Sequence, residues 1–325
     1  MKEKISIIIP TFNSSKELTK CLESLKNQTF NNKNYEVIII DDGSNDDTKD
    51  VVAEYPVKYI YQKNRGPAAA RNNGVTHAQG NIVLFTDADC EPQPNWIEEM
   101  IKPFNDPQVI GVKGAYKSKQ KELIARFVQI EYEHKYERMK KFKYIDFIDT
   151  YSAGYRKDVF MKYNGFDERY PRASVEDQEF SFRLSQDGHK MVFNPDAVVF
   201  HKHSASLMGY LKKKYKIAFW KAFLLKRHPG KIKTDTHTPQ SLKIQMLLSL
   251  LSLTGIAGPV YQQMYYASAF SLFIFLLTCI PFVLFALKRD PSVAIISPFI
   301  LFLRSLSLSL GLGVGMIKHL NPLNS

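Results

Sequence analysis

Cysteine is scarce in this chain, and the three thiols present, Cys21, Cys90 and Cys279, stand far apart. They form no disulfide framework and no metal-type spacing, so the soluble part is expected in a reducing compartment. No apolar leader follows the first residues either. Met1-Lys2-Glu3-Lys4 runs directly into the short stretch Ile5 to Ile9, and no signal peptide is expected. No Gly-x-Gly-x-x-Gly follows that stretch, and no Walker phosphate loop occurs anywhere. The classical dinucleotide and P-loop readings lose their main support. Acidic residues are the minority, 32 against 44 lysines and arginines, and the excess of +12 is concentrated between Lys202 and Lys243. Such an excess can signal nucleic-acid binding. Next to apolar segments it fits anionic lipid headgroups better, and no nucleic-acid partner is expected.

What is present begins as a soluble α/β pattern. Apolar runs at Ile5 to Ile9, Tyr35 to Ile40, Val57 to Tyr61 and Ile82 to Phe85 alternate with helical stretches. The first of these helices, to about Asn27, carries Leu18, Cys21, Leu22 and Leu25 on one face and can be capped by Ser14 or Ser15. This β-α-β-α-β-α-β order predicts parallel strands in a doubly wound sheet with right-handed crossovers. The run Asn81-Ile82-Val83-Leu84-Phe85-Thr86 ends in Asp87-Ala88-Asp89, and the second strand ends in Asp41-Asp42-Gly43-Ser44. Open α/β sheets bind ligands at the carboxyl ends of their strands. Paired aspartates there suit a hard divalent cation, which takes oxygen ligands and bridges protein carboxylates to phosphate. Two acidic groups at one edge repel unless something compensates; a nucleotide with a bound cation would do so.

The ordered set Pro10-Thr11-Phe12-Asn13, Asp41-Asp42-Gly43-Ser44, Arg65-Gly66 with Arg71-Asn72, and Asp87-Ala88-Asp89 resembles the successive motifs of family 2 glycosyltransferases. The resemblance implies a GT-A (Rossmann-like) doubly wound mixed sheet, a nucleotide-sugar donor with a UDP-sugar favoured, Mn2+ or Mg2+, and inversion at the anomeric carbon. It places Pro10, Thr11, Asn13, Asp41, Asp42, Arg65, Arg71 and Asp87 at the nucleotide sugar. Thr11 and Asp42 lie near base and ribose, Arg71 near the nucleotide, and Asp87 at the ribose or a metal-bound water. Asp89 becomes the direct metal ligand, with His201 of His201-Lys202-His203 completing the shell. Further on, Thr150 to Arg156, Asn164 to Glu168 and Glu176 to Leu184 resemble the acceptor half of the family. Gly154 and Arg156 are expected at the acceptor. The family usually has Asn or Met where Ser152 and Ala153 stand. Glu176-Asp177 is the second chemical centre. An acceptor hydroxyl attacks only when a positioned carboxylate takes its proton, and the family places that base on Asp177.

From Ser206 to Lys233 the chain reads as a basic helix with an aromatic-aliphatic face, suited to a membrane interface. Three apolar segments follow, about Leu242 to Tyr261, Met264 to Leu287 and Pro291 to Ile317. A bilayer span needs about 20 apolar residues, which the middle segment meets clearly. Two spans are expected; the third segment, with Arg304 at mid-length, is open between a span and a re-entrant or interfacial piece. The clusters at Lys226 to Lys243 and Lys288-Arg289 place the flanks and the catalytic domain in the cytoplasm of a membrane-attached enzyme. The expected domains are therefore 1–204, with a nucleotide-sugar half to about 115 and an acceptor half from about 116, then a basic interfacial helix and linker at 205–240, and a membrane region with two or three apolar helices at 241–325.

The expected activity is transfer of a hexosyl group to a lipid-linked or polysaccharide acceptor in cell-envelope biogenesis. A processive polysaccharide synthase is an alternative, but only Ala218-Phe219-Trp220-Lys221 stands where those enzymes carry Gln-x-x-Arg-Trp. A polyprenyl-phosphate monosaccharide synthase is another. From a different class, a catalytically silent membrane scaffold is weighed against both aspartates, Glu176-Asp177 and His201.

Overall fold

The computed structural model describes residues 4–170, 174–232, 236, 238–257 and 261–320. They form two compact units, one of residues 1–119 and 136–202, the other of 120–135 and 203–325.

The first unit is built on β1 (Ile5–Thr11), α1 (Ser15–Lys26), β2 (Tyr35–Asp41), α2 (Thr48–Ala53), β3 (Lys58–Tyr61), α3 (Pro67–His77) and β4 (Ile82–Phe85). Then come β5 (Cys90–Pro92), α4 (Trp96–Ile101), β6 (Val109–Lys117), the last residues of α5 (Leu123–Met139), β7 (Ala153–Arg156), α6 (Lys157–Lys162), α7 (Glu176–Gln186) and β8 (Lys190–His201). The strands make one eight-stranded sheet in the order β3-β2-β1-β4-β7-β6-β8-β5. As the alternation predicts, β3, β2, β1 and β4 are parallel. β7 runs against β4 and β6, and β5 against β8, so the whole sheet is mixed.

Ile7, Ile8 and Ile9, Ile38 to Ile40 and Ile82 to Phe85 are fully buried, the mark of strands covered on both faces. Leu18, Cys21, Leu22 and Leu25 of α1 are buried as the sequence predicts. Neither serine side chain caps that helix. Asp46, from the loop after β2, accepts from the Ser15 N–H at 3.0 Å instead. On α3, a Cβ at Gly74 would collide with the Ile8 side chain, so this glycine sets how closely the helix approaches the sheet.

The second unit is helical. It takes in the first part of α5, which the sequence assigns to the acceptor half, with α8 (Leu207–Arg227), α9 (Gln240–Ser252), α10 (Gln262–Leu287) and α11 (Pro291–Leu320). Its core joins Phe127 and Ile130 of α5 to Tyr210, Phe275, Phe282, Val293, Ile300 and Leu301. α8 packs in parallel along α11. The Ser307 hydroxyl donates to the Leu211 carbonyl at 2.7 Å, and added side chains at Gly311 and Gly315 would strike the Tyr215 and Phe219 carbonyls. Small residues one turn apart thus let the two backbones meet.

The first apolar segment continues into a 3-10 helix over Leu253–Ala257, and its α-helix is the 13-residue α9. At 1.5 Å per residue it reaches about 20 Å, short of a hydrocarbon core of about 30 Å. This segment therefore holds no single described α-helix of spanning length, which differs from the expected span. Among the described residues, α10 and α11 are the helices long and apolar enough to cross a membrane. Arg304 is accommodated by partners within the unit. It donates to Glu131 at 2.9 Å and to Gln245 at 2.7 Å, while Lys214 donates to the other Glu131 oxygen at 2.9 Å. Burial raises the Glu131 carboxyl, but Lys214, Lys135 and Arg304 outweigh it and hold the group well below the usual carboxylate range. Glu131→Gln would leave two buried cations without a countercharge. A loss of about 3–5 kcal/mol is expected, seen as a lowered Tm in detergent; an unchanged Tm would remove Glu131 from its structural role.

Candidate donor site and acceptor base

The carboxyl edge of the parallel strands gathers the motif residues. β1 and β2 end in register, Thr11 beside Asp41. Asp41 accepts from the Ser44 N–H at 2.8 Å and the Tyr59 hydroxyl at 2.6 Å. Asp42 accepts from the Gln62 amide at 2.7 Å and from the N–H groups of Arg65 and Gly66 at 2.9 and 2.8 Å. Asp42 therefore fixes the entry into α3, where Gly66 adopts φ +91°, a left-handed value that favours glycine. Asn13 binds the same edge together: its N–H donates to Ser44 Oγ and its side chain accepts from the Asn45 N–H. Pro10 is partly exposed just before Thr11, whose buried hydroxyl has no partner among the described residues. Arg65 turns outward and pairs with Glu168 at 2.6 Å.

After β4 the chain leaves the centre of the sheet and re-enters it at the far edge as β5, so the turn holding Asp87 and Asp89 crosses the intervening strand ends. Antiparallel pairing of β5 with β8 sets Cys90 opposite His201. This brings the His201 Nε2 to 3.1 Å from Asp89 Oδ2, with the ring stacked on Tyr116 at 4.8 Å between centroids. Ligand atoms of Asp87, Asp89 and Cys90 lie within 4.8 Å of one another. Burial first, then the charges of Asp87 and Asp89, push the Cys90 thiol well up, which keeps it a neutral, weak donor. Asp87 and Asp89 remain as oxygen donors, with the His201 imidazole against Asp89 alone; oxygen donors suit Mg2+ or Mn2+, and an imidazole suits Mn2+.

Glu176 and Asp177 open α7. Asp177 accepts from the Gln178 N–H at 2.7 Å. Its pKa is raised to about 7 by burial and by the adjacent Glu176 charge, against the opposing pull of Arg71, the Gln178 N–H and Lys113. A carboxylate poised near neutrality is suited to accept a proton from a hydroxyl.

A sequence profile described as glycosyl transferase family 2 matches residues 6–163. Residues 6–163 belong to that family. The glycosyltransferase is 26% identical over 331 residues to the Methanococcus voltae "Dolichyl N-acetyl-alpha-D-glucosaminyl phosphate 3-beta-D-2,3-diacetamido-2,3-dideoxy-beta-D-glucuronosyltransferase", covering 97% of each chain. It is 34% identical over 116 residues to the glycosyltransferase AglE of Haloferax volcanii, a match spanning 34% of this chain and 38% of AglE. Among solved structures it resembles the mannosyltransferase PcManGT from Pyrobaculum calidifontis, determined with GDP-Man and Mn2+. The TM-score is 0.60 at 17% identity, covering 99% of this chain and 88% of the other. The sheet unit thus has the GT-A fold.

Not every expected site residue reaches this edge of the glycosyltransferase. Gly154 is buried within β7 against Leu84, Met100 and Phe104, where a side chain would not fit. Arg156 pairs with Ile82, at the opposite end of β4 from Asp87, and donates to the carbonyls of Val109 and Phe104. Both serve packing where they stand. Three residues near the chemistry escaped sequence reading. Tyr59 and Gln62 hold Asp41 and Asp42. Lys113 is buried in β6, ion-paired with Asp149 and facing the rings of Phe147 and Tyr151. A lysine inside the apolar run Val109-Ile110-Gly111-Val112-Lys113 was the available signal, since a charge is buried only when paired.

Proposed function

We propose that this glycosyltransferase is membrane-attached and inverting, moving a hexosyl group from a nucleotide sugar, with a UDP-sugar favoured, to an acceptor hydroxyl in glycan synthesis at the cell envelope. The observation that carries this reading is that one arginine, Arg71, pairs both with Asp87, which lies near Asp89 and its partner His201, and with Glu176, the neighbour of Asp177, whose pKa is raised to about 7. The oxygen and imidazole donors fit a divalent cation. When bound, that ion would neutralise charge on the departing diphosphate. Asp89 and His201 would hold it. The Thr11, Asn13 and Asp42 edge would bind base and ribose. Asp177 would take the acceptor proton as the hydroxyl attacks the anomeric carbon from the face opposite the leaving nucleoside diphosphate, which inverts the configuration. The activity named for the Methanococcus relative, whose acceptor is dolichyl-linked, supports a lipid-linked acceptor. The apolar faces of α10 and α11, with Phe270, Phe273, Ile295 and Phe299 exposed, support attachment to membrane lipid. Basic flanks favour a cytoplasmic catalytic unit.

Incubating the purified full chain with Mn2+ and a panel of UDP- and GDP-sugars, and following slow donor hydrolysis, tests the reading. One donor is expected to be turned over, and only with the metal present. Metal-independent turnover, or none with any donor, would count against it.

A further inference from the structure

Arg71 joins the two carboxylate centres. It lies on α3, is 3% exposed, and reaches Asp87 Oδ1 with Nη2 at 2.6 Å and Glu176 Oε1 with Nη1 at 3.3 Å. Its Nε is buried with no hydrogen-bond partner. The second Glu176 oxygen accepts from the Ser174 N–H at 2.8 Å, in the turn that enters α7. The guanidinium is therefore buried, with each terminal nitrogen engaged by a different carboxylate. One carboxylate follows β4 in the metal-type cluster; the other clamps the start of the helix bearing Asp177.

We propose that Arg71 is a positioning residue that ties Asp87 to the amino-terminal turn of α7, so that filling the donor site and placing Asp177 are coupled. The proposal rests on the donor-site reading above, and it gives Arg71 a role other than contact with the nucleotide. The physical basis is charge sharing. Three acidic groups, Asp87, Glu176 and Asp177, act on this one guanidinium. The shorter contact shows that it leans on Asp87. A cation or ribose that draws on Asp87 shifts the balance toward Glu176, and the Ser174–Glu176 clamp passes the change to α7. A buried arginine suits this task, because its planar fork holds two acceptors in fixed geometry where a lysine offers a point charge.

Hydrogen exchange of the full chain in detergent, with UDP plus Mn2+ and with GDP plus Mn2+, reads the coupling directly. In the wild type, nucleotide should slow exchange both around residues 82–92 and in 174–186, the latter by roughly 5-fold or more, in the usual range for coupled sites. Arg71→Lys and Arg71→Met should still bind nucleotide and protect residues 82–92, but lose the response at 174–186. Glu176→Gln keeps the Arg71–Asp87 pair and removes a buried charge that Arg71→Met leaves unpaired, so it separates lost coupling from a folding defect. It too should bind nucleotide and lose the α7 response. Equal slowing of α7 in wild type and variants overturns the coupling. So does loss of nucleotide binding in both Arg71 variants at unchanged Tm, which would make Arg71 a direct contact. A wild-type chain that binds neither nucleotide with Mn2+ overturns the donor-site reading and the coupling with it.

Discussion

Asp177→Asn should lower sugar transfer by roughly 100-fold or more, the usual worth of a positioned general base, while leaving nucleotide affinity near that of the wild type. The substitution keeps the size of the side chain and its acceptance from the Gln178 N–H. It removes only the basic carboxylate, and Asp42, Asp87, Asp89 and His201 are untouched. Glu176→Gln should cost less in transfer, because Glu176 is turned toward Arg71 and the Ser174 N–H. Single-turnover transfer beside calorimetric nucleotide binding makes the comparison. Wild-type rates in Asp177→Asn, or Glu176→Gln as the dead variant, would move the base to another carboxylate. The pH dependence has a definite sign. Burial and the Glu176 charge raise Asp177 to about 7, so the base is ionised above that pH and protonated below it. Transfer should fall as pH drops through about 7, and Asp177→Asn should abolish that limb of the profile. A wild-type rate that is flat between pH 6 and 8 would exclude Asp177 as the titrating group (the window is about one unit on either side of its pKa).

Asp89→Ala should remove metal-dependent nucleotide binding with the fold intact. Asp89 stands half-exposed at the end of the turn between β4 and β5, its side chain 47% accessible, so no core packing is lost. On the proposed reading, what disappears is one hard oxygen ligand to the metal, together with a hydrogen-bond partner of His201. Groups that merely orient metal ligands are worth roughly 10- to 100-fold in affinity, and a direct ligand should exceed that. Calorimetry of UDP or GDP with Mn2+ measures it. Affinity equal to the wild type would take Asp89 out of the metal site, and a parallel loss of binding without Mn2+ would mark it as a structural residue. His201→Ala is expected to weaken binding in the same direction.

The alternation of apolar runs and helical stretches was enough to determine the parallel half of the sheet, because strands buried on both faces must read as continuous Ile, Val and Leu. The amphipathic face of α1 was legible for the same reason: burial of Leu18, Cys21, Leu22 and Leu25 follows the helical period. The motif spacing likewise placed Asp41, Asp42, Asp87 and Asp89 at strand ends, since a strand carries its last residue to the sheet edge. None of this could show that the chain crosses from β4 to β5 at the far edge, which is what sets Asp89 beside His201, 112 residues away. That proximity depends on an antiparallel pairing to which short β5 contributes three residues, too few for a local pattern. Gly154 and Arg156 lie away from the strand ends that gather the other motif residues, and sequence could not show this, because a glycine buried for close packing reads the same as one lining a ligand. The charge of Arg304 looked costly along its own helix, and only three-dimensional packing supplied Glu131 and Gln245 from helices distant in sequence. Likewise, the bridge from Asp87 through Arg71 to Glu176 joins residues up to 105 positions apart. Local propensity and periodicity act over a few turns of chain, so they determine elements and the edges where motifs end. Ion pairs and long-range strand pairings are decided only when those elements pack.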